Sequence, residues 1–247
     1  MTLRVALLGD IHGNVRALEG ALADIRRQRP DLIAVTGDLV LHGPRPLEAI
    51  QRVRELEGDG ALVIQGNTDI AVADFDYSAA FPWLDEVPPQ HRAAVEWANE
   101  QLDEDSLDYL RRLPAERRIR DTTEMLLVCH GSPGSQTNGL PTDLDPSVTV
   151  ERVTRTDARA IGCGHTHVAE VRELGRRLIC NAGSCGYAFD GDPGASWALV
   201  TLDGEDADAE LFRTPYDAQA VSDELSDRGL PGDVYRAATV RTGRFVR

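Results

Sequence analysis

The chain has 247 residues, of which 42% are hydrophobic, and its 41 acidic against 26 basic side chains give a formal net charge of −15. That length and apolar content suffice for one globular domain with a large core, and they exclude an intrinsically disordered chain. Long nucleic acids and anionic membranes need a basic footprint, so the acidic balance excludes both as expected partners.

The sequence also carries expectations about targeting. No apolar stretch approaches the length of a membrane span, and the first residues already read as a strand, so we expect neither a membrane helix nor a signal peptide. The four cysteines form no CxxC pair, which is typical of small buried thiols in a reducing compartment. The sequence therefore predicts a cytoplasmic protein, and it leaves a homo-oligomer possible.

The first part of the chain alternates strands with helices. Continuous apolar runs predict strands at Leu3–Leu8, Asp31–Thr36 and Ala61–Gln65. Apolar residues at helical spacing predict helices near Val15–Arg27 and Pro46–Leu56. This order is typical of a sheet whose strands are joined by crossover helices.

The rest of the chain reads as a helical segment followed by hairpins. Residues from about 75 to 113 carry apolar stripes at helical spacing and predict a helical insertion. The strands predicted after it are Arg118–Arg120, Met125–Cys129, Ala160–Gly162, Glu170–Glu173, Arg177–Cys180, Trp197–Leu202 and Ala209–Phe212. A short helix is predicted near Val150–Arg155. A last helix near Ala218–Arg228 is expected to precede an irregular tail, so that a C-terminal helix and tail occupy about 215–247.

These elements predict the fold class. Strands that first alternate with helices and later arrive in hairpins indicate two sheets packed face to face and flanked by helices. No linker, repeat or low-complexity tract divides the chain. We therefore predict an α/β fold, a four-layer α/β/β/α sandwich that forms a single domain over residues 1–247.

Metal-binding side chains follow directly after five of the predicted strands. The segments are Gly9-Asp10-Ile11-His12, Gly37-Asp38, Gly66-Asn67-Thr68-Asp69, Cys129-His130-Gly131 and Gly164-His165-Thr166-His167. Ligands of α/β proteins collect at such strand ends. Imidazole, carboxylate and amide donors without a thiolate suit divalent transition metals, with Mn²⁺ favoured and Fe²⁺, Zn²⁺, Co²⁺ or Ni²⁺ as alternatives.

In this order the segments resemble the calcineurin-like metallophosphoesterases, whose pattern reads D-x-H, GD, GN-x-D, HG and GHTH. The residues Gly37–Pro44 and Asn181–Ser184, followed by Asp190–Pro193, are similar to a YfcE-like branch of bacterial phosphodiesterases. The resemblance covers roughly residues 3 to 213. It implies the four-layer sandwich, a two-metal site and the hydrolysis of phosphate esters.

The resemblance also implies a role for each candidate ligand. One metal ion would be held by Asp10, His12, His167 and Asp38, and the other by Asn67, His130, His165 and the same Asp38. Asp38 and His130 would be the catalytic residues. Two divalent ions outweigh the two carboxylates and a bridging hydroxide, which leaves a positive site for an anionic phosphate. Ions about 3.5–4 Å apart would activate that hydroxide for in-line attack.

Further residues are candidates for contacting the substrate, and each has a plainer alternative. Asn14 is equally explained as a helix N-cap, and His42 and Arg45 as solvated loop residues. Thr68 lies within the metal-ligand segment Gly66–Asp69. His91, at a polar helix start, is expected to be exposed.

Thr68 is also a departure from the family pattern. Many relatives carry a histidine there, in the pattern GNH[DE], which is taken as a general acid or transition-state stabiliser. Threonine cannot deliver a proton at neutral pH, so substrates with good leaving groups tolerate the change best. This favours a phosphodiester or an aryl ester over an alkyl monoester.

The sequence thus favours a metal-dependent phosphodiesterase that acts on small phosphate esters such as cyclic nucleotides. An alternative of another class is a non-catalytic binding module, comparable to the phosphoesterase-like scaffold subunit of the retromer coat. Intact ligand positions favour the enzyme, whereas Thr68 favours the scaffold. A phosphomonoesterase, a protein phosphatase and a dinucleoside polyphosphate hydrolase also stay open.

Overall fold

The computed structural model describes residues 2–120, 125–204 and 206–247. Its strands are β1 (Thr2–Leu8), β2 (Leu32–Val35), β3 (Leu62–Val63), β4 (Glu116–Arg120), β5 (Met125–Cys129), β6 (Ala160–Cys163), β7 (Ala169–Leu174), β8 (Arg177–Ala182), β9 (Ala195–Asp203) and β10 (Asp206–Thr214). Its helices are α1 (Val15–Gln28), α2 (Pro46–Gly58), α3 (Asn67–Asp74), α4 (Tyr77–Ala80), α5 (Pro89–Glu100), α6 (Glu104–Arg112), α7 (Pro146–Val153), α8 (Ala218–Arg228) and α9 (Asp233–Thr242).

Within the described residues, the strands form two five-stranded sheets. Sheet one has the order β10-β9-β1-β2-β3, and sheet two has the order β4-β5-β6-β8-β7. Strands β1, β2 and β3 are parallel to one another, as are β5, β6 and β8. The antiparallel pairs β1–β9, β9–β10, β4–β5 and β7–β8 complete the sheets. The carboxyl ends of the parallel strands therefore lie at one edge of each sheet.

Strand β1 shows why the chain folds into four layers. Its residues Val5 and Leu7 pack between the two sheets, whereas Ala6 and Leu8 pack against the helices outside sheet one. Because both faces of the strand are buried, its sequence is a continuous apolar run rather than an alternating one. On the far side, α7 packs on sheet two through a separate apolar cluster that includes Val153. The predicted four-layer α/β/β/α sandwich is confirmed.

Two helices differ from the sequence prediction. Helix α3 was not predicted, because nearly all of its residues are buried and it lacks the one-sided apolar stripe by which a helix is recognised. The prediction of an irregular tail after α8 is wrong, since Asp233–Thr242 forms α9. The Asp233 carboxylate accepts hydrogen bonds from Arg228 and Arg236 at the start of α9, and α9 buries Val240 against α8.

The segment expected to be a helical insertion contains α4, α5 and α6, which pack on the helical side of sheet one. All four cysteines are free and buried. Within the part of the chain that the structure describes, no helix combines the length and apolarity needed to cross a membrane.

Gly162 in β6 lies where the two sheets approach each other closely. A Cβ added there would overlap the side chain of Leu7 on β1. We expect Gly162→Ala to lower the free energy of unfolding by about 1–3 kcal/mol, as overpacking of a core does. The measurement is urea denaturation followed by circular dichroism.

Gly58, the last residue of α2, is the matched control. An added Cβ there meets no atom of the described residues within 4 Å, so Gly58→Ala should leave stability unchanged or raise it by up to about 1 kcal/mol. Equal effects of the two substitutions would contradict the close approach of the sheets at Gly162.

Candidate metal centre

The seven candidate ligands come from both sheets and meet at one place. Sheet one supplies Asp10 and His12 after β1, Asp38 after β2, and Asn67 at the start of α3; sheet two supplies His130 after β5, with His165 and His167 after β6. His165 is half-buried and the other six are buried. Side chains so distant in sequence converge because the carboxyl ends of the parallel strands share an edge.

Four of these residues form a first ligand group, composed of Asp10, His12, Asp38 and His167. One potential ligand atom from each lies within 4.8 Å of the others. His167 Nε2 is 3.2 Å from Asp10 Oδ1, and His12 Nε2 is 3.7 Å from Asp38 Oδ2. This group could hold one metal ion.

The remaining ligands form a second group around Asn67. Its Oδ1 atom is 3.0 Å from His130 Nε2 and 3.0 Å from His165 Nδ1. Asp38 joins this group as well, because its Oδ1 atom is 3.4 Å from His130 Nε2. The two carboxylate oxygens of Asp38 thus face different ligand groups, which is the placement that a bridging ligand requires.

Hydrogen bonds to backbone carbonyls orient three of the rings. The Nδ1 atoms of His12, His130 and His167 donate to the carbonyl oxygens of Leu41, Thr36 and Tyr187, at 2.8, 2.7 and 2.6 Å, respectively. A carbonyl oxygen only accepts, so Nδ1 carries a hydrogen and Nε2 is the ring nitrogen that faces the cluster.

The resulting contact between two rings fits a bound cation. His12 Nε2 and His167 Nε2 lie 3.2 Å apart, and in neutral rings with protonated Nδ1 both atoms are acceptors. Two lone pairs at this distance repel each other unless a cation lies between or beside them. The donor set of the first group therefore suits a metal ion.

Burial and neighbouring charges set the protonation of several candidate ligands. Burial lowers the pKa of His12 and of His165 to about 4, so both rings are neutral near pH 7. Burial alone would raise the pKa of Asp38, but the adjacent His130 lowers it on balance. Burial would likewise lower the pKa of His130, but Asp38 outweighs this and raises it to about 10. The site holds ionised carboxylate and attracts positive charge.

Strained backbone is concentrated at the cluster. Among the described residues, eight that are not glycine have positive φ, and six of them lie here: Asp10, His12, Asp38, His42, His165 and His167, with φ between 51° and 85°. The other two, Arg29 and Phe75, are helix C-caps. Each left-handed non-glycine residue costs on the order of 1–3 kcal/mol and persists only when its surroundings enforce it. Here the backbone of Asp10 and of His12 bonds the loop after β2.

The glycines of the motifs give the carboxylates room. A Cβ added at Gly66 would overlap the Asp38 carboxylate, and one at Gly164 would overlap that of Asp10. Glycine therefore precedes Asn67 and His165 because a ligand carboxylate lies directly against the backbone.

Asp69 lies beside the cluster, although the sequence analysis assigns it no role. Its buried carboxylate accepts hydrogen bonds from the backbone N–H groups of Gly66, Asp38 and Leu39, at 2.9, 3.0 and 2.8 Å. It thereby joins the loop that carries Asp38 to the start of α3, which carries Asn67. The available signal was its place at the third position of a helix, where an acid commonly accepts from the preceding backbone.

Two of the four predicted substrate contacts line a cavity that opens on the cluster. The cavity has a volume of about 680 Å³, and His42 and Thr68 are among its lining residues. The Thr68 hydroxyl is buried and His42 Nδ1 is buried, and the described residues give neither a hydrogen bond. Both have polar atoms left for a ligand.

The other two predicted contacts are engaged elsewhere and gain no support. Asn14 is the N-cap of α1, where its Oδ1 accepts from Ala17 and its Nδ2 donates to Tyr216. Arg45 pairs with Glu224 through two hydrogen bonds of 2.8 and 3.1 Å. Neither residue is among those that line the cavity.

The cavity wall is largely aromatic, and the sequence did not reveal it. His91, expected to be exposed, is half-buried and lines the cavity beside His42, because α5 packs over this side of the cluster. Further lining rings are Phe81, Trp83, Tyr187, Phe189, Tyr235 and Phe245. These rings come from distant segments and share no local pattern, so only tertiary packing identifies them.

The chain is similar to several known proteins. A model of the calcineurin-like phosphoesterase superfamily domain matches residues 3–205. A solved metallophosphoesterase of Sphaerobacter thermophilus is 27% identical, with a TM-score of 0.75 over 98% of this chain and 100% of that chain. A protein of Methanocaldococcus jannaschii is 24% identical over 242 residues, which are 92% of this chain and 93% of that protein.

A symmetrical bis(5′-nucleosyl)-tetraphosphatase of Shigella dysenteriae is 30% identical over 185 residues. The match takes in 71% of this chain but 62% of that relative, so the chain spans less than two thirds of its length.

Asp69 provides a test of how the ligand loops are held. Asp69→Asn replaces an accepting oxygen with an NH₂ group, which would face backbone N–H donors and displace the Asp38 loop. We expect Mn²⁺ binding to weaken about 10- to 100-fold, as is typical when a group that orients ligands is changed. Titration calorimetry of the chelator-treated protein measures it.

Asp103→Asn is the control, because this carboxylate caps α6 and asparagine caps a helix as well as aspartate does. Its Mn²⁺ affinity should equal that of the parent. Unchanged affinity in Asp69→Asn would contradict the positioning role.

Proposed function

The chain belongs to the calcineurin-like phosphoesterase superfamily, and from this we propose that it is a two-metal phosphodiesterase that hydrolyses small phosphate esters. The observation that supports this best is Asp38, whose Oδ1 and Oδ2 atoms face different ligand groups at 3.4 and 3.7 Å from His130 and His12. One buried carboxylate whose two oxygens face separate groups of donors suits a pair of cations better than a single one.

Each ion would have its own ligands besides Asp38. Asp10, His12 and His167 would hold one ion, and Asn67, His130 and His165 the other. When bound, the ions would lower the pKa of a shared water and offset charge on the phosphoryl oxygens. Mn²⁺ is our first choice, and Fe²⁺, Zn²⁺, Co²⁺ or Ni²⁺ would suit the same donors.

The residues of the chain itself position the reacting groups. The carbonyl-bound rings cannot rotate away from the cluster, and Thr68 N–H donates to Asp38 Oδ1 at 2.9 Å, which fixes the shared carboxylate. His42 lies against His12 and Tyr187, with ring centroids 5.3 and 5.2 Å apart. Burial lowers the pKa of His42 well below its usual value, so the ring is neutral and suited to donate a hydrogen bond to a substrate oxygen.

Substrate size and charge limit the candidates. A cavity of about 680 Å³ lies within the range of small-molecule sites, and the net charge of −15 disfavours long nucleic acids. A small diester in the cytoplasm is our first choice. The relative named bis(5′-nucleosyl)-tetraphosphatase makes a dinucleoside polyphosphate the second candidate. A non-catalytic scaffold would bind metal, if at all, without turnover.

Metal stoichiometry and the shared carboxylate test the proposal together. The chelator-treated protein should take up two Mn²⁺ per chain and then hydrolyse bis-p-nitrophenyl phosphate. Asp38→Asn should lower kcat by ~10³-fold or more while the fold is kept, because the change adds no bulk. Elemental analysis and steady-state kinetics measure both.

Asp227→Asn removes an exposed carboxylate on α8 and serves as control; it should behave as the parent does. His130→Ala should lose activity to a similar degree as Asp38→Asn. Uptake of a single ion, or near-parental activity of Asp38→Asn at saturating Mn²⁺, would rule out the two-metal mechanism.

Thr68 gives a separate prediction about the leaving group. Thr68→His places an imidazole where the chain has no acid, so hydrolysis of alkyl monoesters should rise, by up to ~10²-fold if the ring protonates the leaving oxygen. Aryl diesters need little protonation and should gain little. Initial rates over a series of leaving groups measure the difference.

Thr68→Asn adds polar bulk without an acid and is the matched control. It should leave the dependence on leaving-group pKa as steep as in the parent. A Thr68→His protein that is equally slow on every ester, with both ions bound, would show that Thr68 does not set the rate.

A further inference from the structure

Exposed aromatic rings gather around the cavity. Among the described residues, eight large hydrophobic side chains are exposed, and three of them line this one cavity: Trp83, Tyr235 and Phe245, at 56%, 46% and 51% exposure. Single exposed apolar residues are ordinary on protein surfaces, but their grouping around one cavity is typical of a binding surface. Folding alone gives no reason to leave these rings in water.

Trp83 lies on the side of the second ligand group. Its ring centroid is 6.0 Å from that of His165, at an interplanar angle of 68°, and 5.9 Å from that of Phe81, at 78°. Both are edge contacts, so neither ring stacks on the indole. The indole lies beside a candidate metal ligand and is 56% exposed, so a planar group can stack on its exposed surface.

Phe245 lies on the side of the first ligand group. Phe189 stacks on His167 with centroids 4.2 Å apart, and Phe245 packs against Phe189 at 5.0 Å. The segment after α9 is fixed in place, because Gly243 O accepts from Gly191 N–H at 2.7 Å. The exposed Phe245 ring is therefore positioned before any ligand arrives, which reduces the entropy lost on binding.

The two aromatic positions belong to different halves of the cluster. Trp83 contacts His165, whose Nδ1 atom approaches Asn67, whereas Phe189 contacts His167, whose Nε2 atom approaches Asp10. Asp38 lies between the two halves. A phosphate bound at the cluster would thus have one aromatic position on each side.

We propose that Trp83 and Phe245 form two ring-binding subsites, one for each ester group of a phosphodiester that carries a planar ring, such as a nucleobase, on both sides. This inference rests on the proposed function and names the substrate class of the same site. Stacking on neutral rings adds affinity for an anionic ligand where the protein as a whole is acidic. An aromatic platform of this kind changes nucleotide affinity about 5- to 100-fold.

Two esters with the same leaving group separate the subsites. Phenyl p-nitrophenyl phosphate carries a ring on each side, whereas methyl p-nitrophenyl phosphate carries only the leaving ring. We expect Trp83→Ala and Phe245→Ala each to raise KM for the phenyl ester by about 10-fold or more. For the methyl ester only one of the two substitutions should raise KM, because only one ring position is filled.

Phe75→Ala is the matched control, since Phe75 is an exposed aromatic residue that does not line the cavity. It should leave KM unchanged for both esters. The proposal is overturned if either Trp83→Ala or Phe245→Ala leaves KM for the phenyl ester at the parental value, or if both raise KM for the methyl ester equally.

A binding experiment distinguishes failure of the subsites from failure of the proposed function. Diphenyl phosphate and dimethyl phosphate have poor leaving groups, so calorimetry can follow their binding to the Mn²⁺-loaded protein. Each substitution should weaken diphenyl phosphate about 10-fold and leave dimethyl phosphate unchanged. That result without turnover of any ester would support the subsites and reject the phosphodiesterase. Turnover of the esters together with unchanged diphenyl phosphate binding in both variants would support the phosphodiesterase and reject the subsites.

Discussion

The seam between the two sheets is the constraint on which the rest of this structure depends. Sheet one brings Asp10, His12, Asp38 and Asn67 to the seam, and sheet two brings His130, His165 and His167. Neither sheet alone holds a complete ligand group, because His167 belongs with Asp10 and Asn67 with His130. Close packing of the sheets, for which Gly162 leaves room at Leu7, is therefore a condition for the chemistry as well as for stability.

The backbone strain and the buried charge of the cluster cost free energy, which the packing of the surrounding layers offsets. Six of its residues have left-handed backbone, and buried carboxylates lie against buried imidazoles. Such strain and such burial of charge are tolerated where a large core over-determines the fold, and they are characteristic of functional sites. The pKa of His130 is raised to about 10 by the adjacent Asp38 carboxylate. The proton on this ring carries positive charge that bound cations would otherwise supply.

The wall of the cavity differs in origin from the cluster. The candidate ligands follow the central strands, whereas His91 comes from α5, Trp83 from the loop before it, and Phe245 from the segment after α9. Central strands of a fold carry the shared chemistry, and peripheral segments adapt it to a substrate. In this chain the insertion and the C-terminal segment each add an exposed ring to one half of the cluster, which is why we assign specificity to them.

The sequence by itself predicted the four-layer fold, placed the candidate ligands after successive strands and offered an N-cap role for Asn14, because each is encoded in a short run of residues: an apolar strand, a glycine turn, a polar side chain. Only the tertiary structure decided the role of Asp69, the helix at Asp233–Thr242, the placement of His91 and the aromatic wall. Helix α3 shows the physical reason, since its burial on all sides removes the stripe that marks a helix in sequence. A contact between segments far apart in the chain leaves no periodic signal in either one. It arises only when packing of the layers brings them together.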